Sequence, residues 1–127
     1  PRIVYAGLNT LKSFFDPDIC TTDICNPYGG RVLDFCSSLL INEVVPCFVK
    51  GECASVIGNV SILNNGIFNV RYNSIINILK KIIFLPVSEN EIDGHQISLL
   101  KAKCLESVAL VGKAVGIYRC IFVYICT

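Results

Sequence analysis

The sequence predicts an all-α protein in which about three antiparallel helix pairs stack into a right-handed solenoid. Apolar residues recur at spacings of three and four in several stretches, which is typical of amphipathic helices. The chain is also 53% hydrophobic and only 17% charged, against about 25% charged in an average soluble domain. Most helices must therefore bury more than one face, and a stack of pairs allows this because each pair packs against its neighbours.

Polar joints rich in Pro, Gly, Asn and Asp separate the periodic stretches. The joint at 16–30 is predicted to be an irregular connection, since Pro17 disfavours helix at the residue before it. Further joints are predicted as a turn at 61–66 and an acidic loop at 88–94. The predicted helices span residues 2–15, 31–41, 42–60, 68–85 and, beginning near Gln96, 99–116, and a further apolar element covers 117–126.

The apolar stripes also predict which side chains face the core. In the fourth helix the asparagines at 69, 73 and 77 and Lys80 form the opposite, solvated face. The predicted inward set is Val4, Leu8, Leu11, Phe15, Val32, Phe35, Cys36, Leu39, Val45, Phe48, Val49, Cys53, Val56, Ile57, Val60, Phe68, Tyr72, Ile75, Ile76, Leu79, Ile82, Ile83, Leu100, Cys104, Leu105, Val108 and Val111.

The helices recur with a period of their own. First helices begin near 2, 42 and 96, and their partners begin near 31, 68 and 117. Spacings of roughly 40 to 55 residues match the helix-pair period of HEAT or armadillo repeats. The chain, 1–127, is therefore predicted to be one solenoid fragment with successive units at 2–41, 42–85 and 95–127. The absence of Met from the sequence fits a segment of a longer protein.

Cysteine usage argues against a metal site. The eight cysteines include no CxxC pair, and His95 is the single histidine, whereas structural zinc sites draw on closely spaced Cys and His. The cysteines at 36, 53, 104 and 120 fall within apolar patterns, where a free thiol behaves as a small buried hydrophobe. These features predict reduced thiols in a cytosolic or nuclear protein, with no metal and no cofactor.

Charge and hydropathy limit the partners. A net charge of +1 without a basic run argues against direct binding of nucleic acid. A membrane span needs about 20 nearly uninterrupted apolar residues, but the most apolar window, 108–126, contains Lys113 and Arg119. We therefore expect no membrane contact. A small polytopic membrane protein remains the alternative from a different class, because the hydropathy is high.

No catalytic residues are predicted. A nucleophilic enzyme needs Ser or Cys near His and a carboxylate, and His95 lies alone beside Asp93 and Gly94 in what reads as a helix-entry turn. The pair Gly29–Gly30 is followed by neither GK[ST] nor GxGxxG, so it does not predict a phosphate loop.

Five blocks in order, PRIVYAGLNTLKSFF, NPYGGRVLDF, EVVPCFVKGECASVIG, RYNSIINILKKII and LLKAKCLESVALVGKAVG, resemble the middle HEAT repeats of the importin-β superfamily. The resemblance is greatest to nuclear import receptors of the karyopherin beta-3 type. The last block is the most specific. Its matching positions are Leu99, Leu100, Lys103, Leu105, Glu106, Ser107, Gly112, Ala114, Val115 and Gly116.

This resemblance implies a non-enzymatic receptor that shuttles between cytoplasm and nucleus. Such a receptor binds basic protein cargo, is unloaded by Ran–GTP and passes nuclear pores by binding Phe-Gly nucleoporins. A HEAT scaffold of another complex, such as a phosphatase or kinase regulatory subunit, is the alternative within the same fold. As a fragment with open ends, the chain is also expected to self-associate through its exposed end helices.

The resemblance further implies that the helices at 2–15, 43–60 and 96–112 line the concave surface. Their inward polar residues become candidate protein-binding residues, with ordinary solvated faces or contacts between repeats as the alternative for each. Arg2 and Lys103 are expected to bridge neighbouring repeats, and slots near Phe35 and Tyr72 are expected to accept a Phe side chain. The candidates are Asn9, Lys12, Lys50, Glu52, Asn59, Lys101 and Glu106.

Overall fold

A computed structural model describes residues 2–63, 65–86 and 91–115, and over these ranges the protein is helical without strands. The prediction of an all-α protein is confirmed. No helix in these ranges combines the length and the apolar character that crossing a bilayer requires. The predicted element at 117–126 lies outside the described residues. The five helices are α1 (Arg2–Phe14), α2 (Thr22–Ile41), α3 (Cys47–Leu63), α4 (Asn65–Ile83) and α5 (Glu91–Val115).

The helices form two layers. In the first layer α3 lies between α1 and α5, and in the second layer α2 contacts α4. Helix α3 packs against all four other described helices, whereas α1 packs mainly on α3. One further contact of α1 is the edge-to-face pair of Phe14 with Tyr28 of α2, whose ring centroids lie 6.4 Å apart. Helices that follow one another along the chain therefore alternate between the layers.

Helices of the first layer run parallel. Near the start of α1 and α3, the rings of Tyr5 and Phe48 meet edge to face with centroids 5.5 Å apart. Further along both helices, Lys12 Nζ lies 3.0 Å from Glu52 Oε2. Because these contacts advance in the same direction along both helices, α1 and α3 are parallel.

Helices α3 and α5 are also parallel, and small residues bring them close together. A Cβ placed on Gly51 would lie 3.5 Å from Lys103 Cγ, and one placed on Gly58 would lie 2.8 Å from Leu110 Cδ1 and 3.5 Å from Ser107 Cα. Residues with side chains at position 58 would push the two helices apart.

Helices α2 and α3 run antiparallel across the layers. The hydroxyl of Thr22, at the start of α2, donates a hydrogen bond to the carbonyl of Leu63, at the end of α3, at 2.7 Å. Cys36 and Cys53 meet near the middle of both helices, close enough for their thiols to hydrogen-bond. Within the second layer, Arg71 of α4 binds the Asp34 carboxylate of α2, with Nε 2.8 Å from Oδ1 and Nη2 3.3 Å from Oδ2.

The core centres on α3, whose buried side chains point in several directions because helices surround it. The thiols in this core are free. The two residues predicted to lie near slots for a Phe side chain differ in burial: Tyr72 is buried and Phe35 is exposed. The buried apolar residues include Leu8, Phe15, Leu33, Cys36, Leu40, Val49, Cys53, Val56, Ile57, Val60, Tyr72, Ile75, Ile76, Leu79, Ile82, Leu100, Cys104 and Val111.

The prediction of an irregular connection over 16–30 is wrong in its second half, because α2 begins at Thr22. Pro27 lies inside this helix, where it removes one backbone donor. The Gly29–Gly30 pair has a packing role, since a Cβ on Gly30 would lie 3.1 Å from Arg71 Nη2. Burial of Cys25 and Leu33 on one side of α2 supports helix here despite these breakers.

The predicted start of the third helix at 42 is also wrong. Asn42 ends α2, with its N–H bonded to the carbonyl of Leu39, and its Oδ1 accepts the Val44 N–H at 3.0 Å. This side-chain turn leads the chain to Pro46, whose carbonyl accepts the N–H groups of Val49 and Lys50 as α3 begins.

Other boundaries move by a few residues. Helix α3 continues to Leu63, so the predicted turn at 61–66 is shorter, and α4 spans Asn65–Ile83 rather than 68–85. Helix α5 begins at Glu91, inside the predicted acidic loop. Four residues predicted to face the core are instead exposed, since their helices carry apolar residues on more than one face. They are Val4, Phe35, Phe48 and Leu105.

Candidate protein-binding groove

A groove follows the outer side of α3 in the first layer. Helices α1 and α5 each contact α3, but they do not contact each other in the described ranges, so they form two walls above a floor made by α3. We call this depression the α3 groove. It consists of two adjoining cavities with volumes of about 300 and 130 Å³. Lys103 and Glu106 of α5 line both cavities and so mark their junction.

The larger cavity is the apolar half of the groove. Tyr5 of α1, Phe48 of α3 and Leu99 of α5 line it near the beginnings of the three helices. Phe48 and Leu99 are 53% and 56% exposed, so a ligand reaches their side chains without moving the core. Gly51 on the floor deepens this half because it carries no side chain.

The smaller cavity is the polar half of the groove. Lys12 comes from the α1 wall, Ser55 and Asn59 come from the α3 floor, and Ser107 and Leu110 come from the α5 wall. Hydroxyl, amide and ammonium groups therefore converge at one end of a mostly apolar groove, an arrangement typical of binding sites that orient a ligand through a few polar contacts.

Glu52 is a buried charge at the floor of the apolar half. Its side chain is 8% exposed and the side chain of Lys12 is 33% exposed. The 3.0 Å contact between Lys12 Nζ and Glu52 Oε2 is an ion pair outside hydrogen-bond geometry, since Oε2 has no hydrogen-bond partner among the described residues. Burial of Glu52 makes this pair structurally important, because the carboxylate alone would lack compensation.

Ser107 presents a second unsatisfied group. The residue is 2% exposed, and its Oγ has no hydrogen-bond partner within the part of the chain that the structure describes. Buried hydroxyls are nearly always hydrogen-bonded, so an unpaired one calls for an explanation. Ser107 belongs to the lining of the polar half, but its Oγ is itself buried there.

The structure brings together four of the predicted binding residues in this groove. Lys12, Glu52, Asn59 and Glu106 line it. Asn9, one turn of α1 before Lys12, is exposed.

Three predicted binding residues, Asn9, Lys50 and Lys101, do not line the α3 groove. Lys50 is half-buried on another side of α3. Lys101 donates a hydrogen bond from Nζ to the carbonyl of Leu85, just after the end of α4.

At three helix ends, a side chain of another helix donates a hydrogen bond to a terminal carbonyl. The carbonyl of Lys12 near the end of α1 accepts a hydrogen bond from Asn59 Nδ2 at 3.1 Å. The carbonyl of Leu63 accepts from Thr22, and that of Leu85 accepts from Lys101. Each side chain comes from a different helix, so these polar residues satisfy carbonyls that a helix leaves unpaired at its end. Asn59 and Lys101 therefore have structural contacts of their own.

Sequence reasoning missed several residues that shape the groove. Tyr5, Ser55 and Leu99 were not candidates, and Lys103 and Ser107 were noted only for the repeat resemblance. One signal was present: residues 48, 52, 55 and 59 repeat at spacings of four, three and four, which places them on one face of α3. Because this face combines one apolar residue with three polar ones, a search for apolar stripes did not detect it.

The thiols have raised pKa values in the core. Burial, with a smaller effect of nearby Cys20, raises the pKa of Cys25 to about 11. Burial alone raises the pKa of Cys104 to about 12. The hydrogen bond with Cys53, followed by burial, strongly raises the pKa of Cys36. These thiols are poor nucleophiles, because the thiolate is the reactive form.

The described ranges contain no cluster of three or more His, Cys, Asp or Glu side chains placed to hold a metal ion. His95 is exposed on α5. At the surface, the hydrogen bond from Arg71 of α4 lowers the pKa of Asp34 of α2.

Neither family models nor characterised proteins nor solved structures match this chain. Its function has to be inferred from the α3 groove and from the arrangement of the helices.

Proposed function

We propose that this chain is a non-catalytic protein-binding scaffold of the HEAT type, which holds a segment of its partner in the α3 groove. The observation that carries the proposal is the alternation of helices between two layers, parallel within the first layer and antiparallel from α2 to α3. This arrangement is typical of solenoids built from helix pairs, which bind partners along an extended surface.

The groove has properties expected of a peptide-binding surface. Its apolar half offers exposed aromatic and aliphatic side chains, and its polar half offers groups that orient a ligand. Partner segments commonly bury an apolar anchor in such a groove, while a polar rim fixes their register.

A selection experiment tests the scaffold proposal. Peptides selected from a random library against the 127-residue chain are expected to bind in the α3 groove, so the exposed-site substitution Leu99→Asp should abolish binding. Phe35→Asp, at an exposed aromatic residue of the second layer, is the matched control and should retain it. Selected peptides that bind both variants and the parent chain equally would overturn the proposal.

We further propose the narrower identity of a karyopherin-β nuclear import receptor segment, acting in cytoplasm and nucleus within a longer chain. It is supported by the sequence blocks that resemble the importin-β superfamily, foremost residues 99–116. In this proposal the longer chain binds basic cargo, Ran–GTP and Phe-Gly nucleoporins. The α3 groove holds two acidic side chains, Glu52 and Glu106, beside basic ones, so most of the contact with a basic cargo would fall to other repeats.

A pull-down with the natural chain that contains this sequence tests the narrower proposal. A basic cargo should be released on addition of Ran loaded with a GTP analogue and retained with Ran–GDP. Retention of the cargo under both conditions would exclude a karyopherin and would leave the scaffold proposal unaffected, since that depends on the groove.

Self-association through the end helices is the remaining partner proposal. Helix α1 packs mainly on α3, and it exposes Ile3, which is 88% accessible. Sedimentation velocity should show a dimer that Ile3→Lys dissociates. A monomer at all concentrations would exclude it.

A further inference from the structure

An uncharged face lies at the α1 end of the molecule. Helix α1 contacts α3 through Tyr5 and Lys12, and helical spacing places a row of four other residues on the opposite side of α1. The row is open: Ile3 and Phe14 are 88% and 44% exposed, and a Cβ on Gly7 would meet no atom within 4 Å. The row consists of Ile3, Gly7, Thr10 and Phe14.

Helix α2 carries a second uncharged row on the side away from α4. Asp34 of α2 binds Arg71 of α4, and helical spacing places the row on the other side of α2. Two aromatic members keep about half of their surface accessible, since Tyr28 and Phe35 are 54% and 47% exposed. The row consists of Tyr28, Val32, Phe35 and Leu39.

The two rows lie side by side with their ends level. At one end the rings of Phe14 and Tyr28 meet with centroids 6.4 Å apart, and at the other end Val4 and Leu39 line the same cavity. The rows therefore form one continuous surface, which we call the α1–α2 face.

The α1–α2 face is suited to being covered by protein. Its one hydroxyl group is already satisfied, because Thr10 Oγ1 donates a hydrogen bond to the Ala6 carbonyl at 3.0 Å, so covering it leaves no donor unpaired. The ring of Phe14 is held edge to face by Phe15 and Tyr28, with centroids 4.9 and 6.4 Å away. Exposed apolar surfaces of this kind mark protein–protein interfaces.

The spacing of the α1 row identifies the occupant. Its members follow at intervals of four, three and four residues, a pattern that is the same read from either end. A second copy related by a two-fold axis therefore places Ile3 opposite Phe14 and Gly7 opposite Thr10. The small residues at the centre allow the two α1 helices to approach closely, and the larger residues fill the ends.

The α2 row matches itself about the same axis. Its intervals are also four, three and four residues, and its centre is level with that of the α1 row. The two-fold axis that pairs the α1 helices therefore places Tyr28 opposite Leu39 and Val32 opposite Phe35. Each large side chain then meets an apolar one.

Charges at the rim agree with antiparallel pairing. Arg2 is exposed at the start of α1, and the turn after α1 carries Asp16 and Asp18. In antiparallel helices the start of one lies beside the end of the other, so each Arg2 is brought near two carboxylates of the second copy. Opposite charges placed in this way favour the pairing and fix its register, whereas parallel helices would place Arg2 beside Arg2.

We propose that two copies of this chain pair through the α1–α2 face about a two-fold axis, with α1 antiparallel to α1 and α2 antiparallel to α2. Both layers then continue from one copy into the other, and the α3 groove of each copy stays open. This inference rests on the proposed self-association and assigns its surface and its geometry.

Sedimentation velocity of the 127-residue chain, at concentrations between about 1 and 200 µM, tests the inference. A reversible dimer is expected. Gly7→Glu and Phe35→Lys should each raise its Kd at least about tenfold, because each brings two like charges close to the axis. Gly7→Glu leaves the single copy unstrained, since no atom lies within 4 Å of the new Cβ and Glu favours helix more than Gly does.

Leu105→Lys is the matched control for these variants. It changes an exposed residue of α5, at the other end of the first layer, and should leave the dimer Kd within about twofold. Circular dichroism of each variant confirms that the helices are retained.

A charge exchange tests the antiparallel register. Arg2→Asp should raise the dimer Kd by about fivefold, because it places like charges together at two symmetric positions. Adding Asp18→Arg to this variant should restore most of the affinity. A double variant that dimerises no better than Arg2→Asp alone would overturn the antiparallel geometry.

The outcomes separate this inference from the proposals above. If Leu105→Lys weakens the dimer as strongly as Gly7→Glu does, the contact joins opposite ends of the two copies; self-association then stands and the α1–α2 interface is wrong. A monomer at all concentrations would overturn both of these, while the scaffold proposal is still decided by the peptide selection.

Discussion

At the scale of single residues, the Glu52 carboxylate determines much of the groove's character. It lies on the floor with 8% of its side chain exposed, and Lys12 on the α1 wall neutralises it. The pair fixes the spacing of floor and wall in the middle of the groove. Because Lys12 neutralises Glu52, this buried carboxylate adds no net negative charge to the floor of the groove.

Lys12→Met is expected to lower the free energy of unfolding by about 2 kcal/mol, because it leaves a buried carboxylate without its counter-charge. The second substitution Glu52→Gln, introduced into the Lys12→Met variant, should restore part of this loss. Urea unfolding followed by circular dichroism measures both. An unchanged midpoint for Lys12→Met would show that solvent already compensates Glu52.

Burial and thiolate formation together predict which cysteines react. Cys47 is half-buried at the start of α3, whereas Cys104 is fully buried with its pKa raised to about 12. At pH 8 only about one Cys104 thiol in ten thousand is ionised. Iodoacetamide labelling of the native protein, read by peptide mass spectrometry, should modify Cys47 before Cys104. Labelling of Cys104 at an equal rate, without denaturant, would contradict this burial.

Residue roles were only partly predictable. Lys12, Glu52, Asn59 and Glu106 were chosen because they lie on helices assigned to one surface, and the structure gathers them in one groove. Their partners were not predictable, since the capping of the Lys12 carbonyl by Asn59 depends on how two distant helices meet. Ser107 was missed as a residue of the groove because its burial is a tertiary property.

At the scale of helices, the ends of one element are stabilised by side chains of another. Two adjacent threonines at the start of α2 illustrate the difference between a residue without such a contact and a residue with one. Thr21 takes the N-cap position without a capping hydrogen bond from its side chain, whereas Thr22 donates to the Leu63 carbonyl at 2.7 Å. The second contact connects the beginning of α2 to the end of α3.

Thr22→Val is expected to destabilise the protein by about 1 kcal/mol, because the near-isosteric change leaves the Leu63 carbonyl without its donor. Thr21→Val is the matched control and should cost markedly less. Thermal unfolding of the two variants makes the comparison. Equal losses would mean that the Thr22 hydrogen bond contributes nothing beyond helix initiation.

The crossing of α3 and α5 depends on Gly58. Gly58→Val is expected to lower the free energy of unfolding by about 2 kcal/mol, because the new side chain overlaps Leu110 and presses on the backbone of Ser107. Gly7→Val places the same side chain on α1, where no atom lies within 4 Å, and should change stability by less than about 0.5 kcal/mol. Chemical denaturation distinguishes the two, and a tolerated Gly58→Val would indicate a looser crossing.

Most helices were predictable, α1 because its apolar residues lie on one face, and α3 because its apolar residues continue over several faces with few breakers. The beginning of α2 was not, since Pro27 and the Gly29–Gly30 pair are typical of loops. Tertiary contacts outweighed that local preference: burial of Cys25 and Leu33 and the approach of Arg71 to Gly30 require this stretch to be helical.

At the scale of the whole molecule, the sequence predicted the all-α class, because apolar residues at spacings of three and four are typical of amphipathic helices. That the first, third and fifth helices share one surface was implied by the importin-β resemblance. The groove itself could not be predicted, since it exists only because α1 and α5 flank α3 without meeting.

The limited packing of α1 has a consequence for dynamics. Because α1 packs mainly on α3, with the Phe14–Tyr28 pair as a further contact to α2, we expect it to open locally more readily than the core helices, and the groove then loses one wall. Hydrogen–deuterium exchange should therefore be faster in α1 than in α3. A bound ligand should slow exchange in α1 more than in α4, whereas uniform protection across all helices would contradict this. Opening of α1 would expose the α3 floor and so control how fast a ligand enters and leaves the groove.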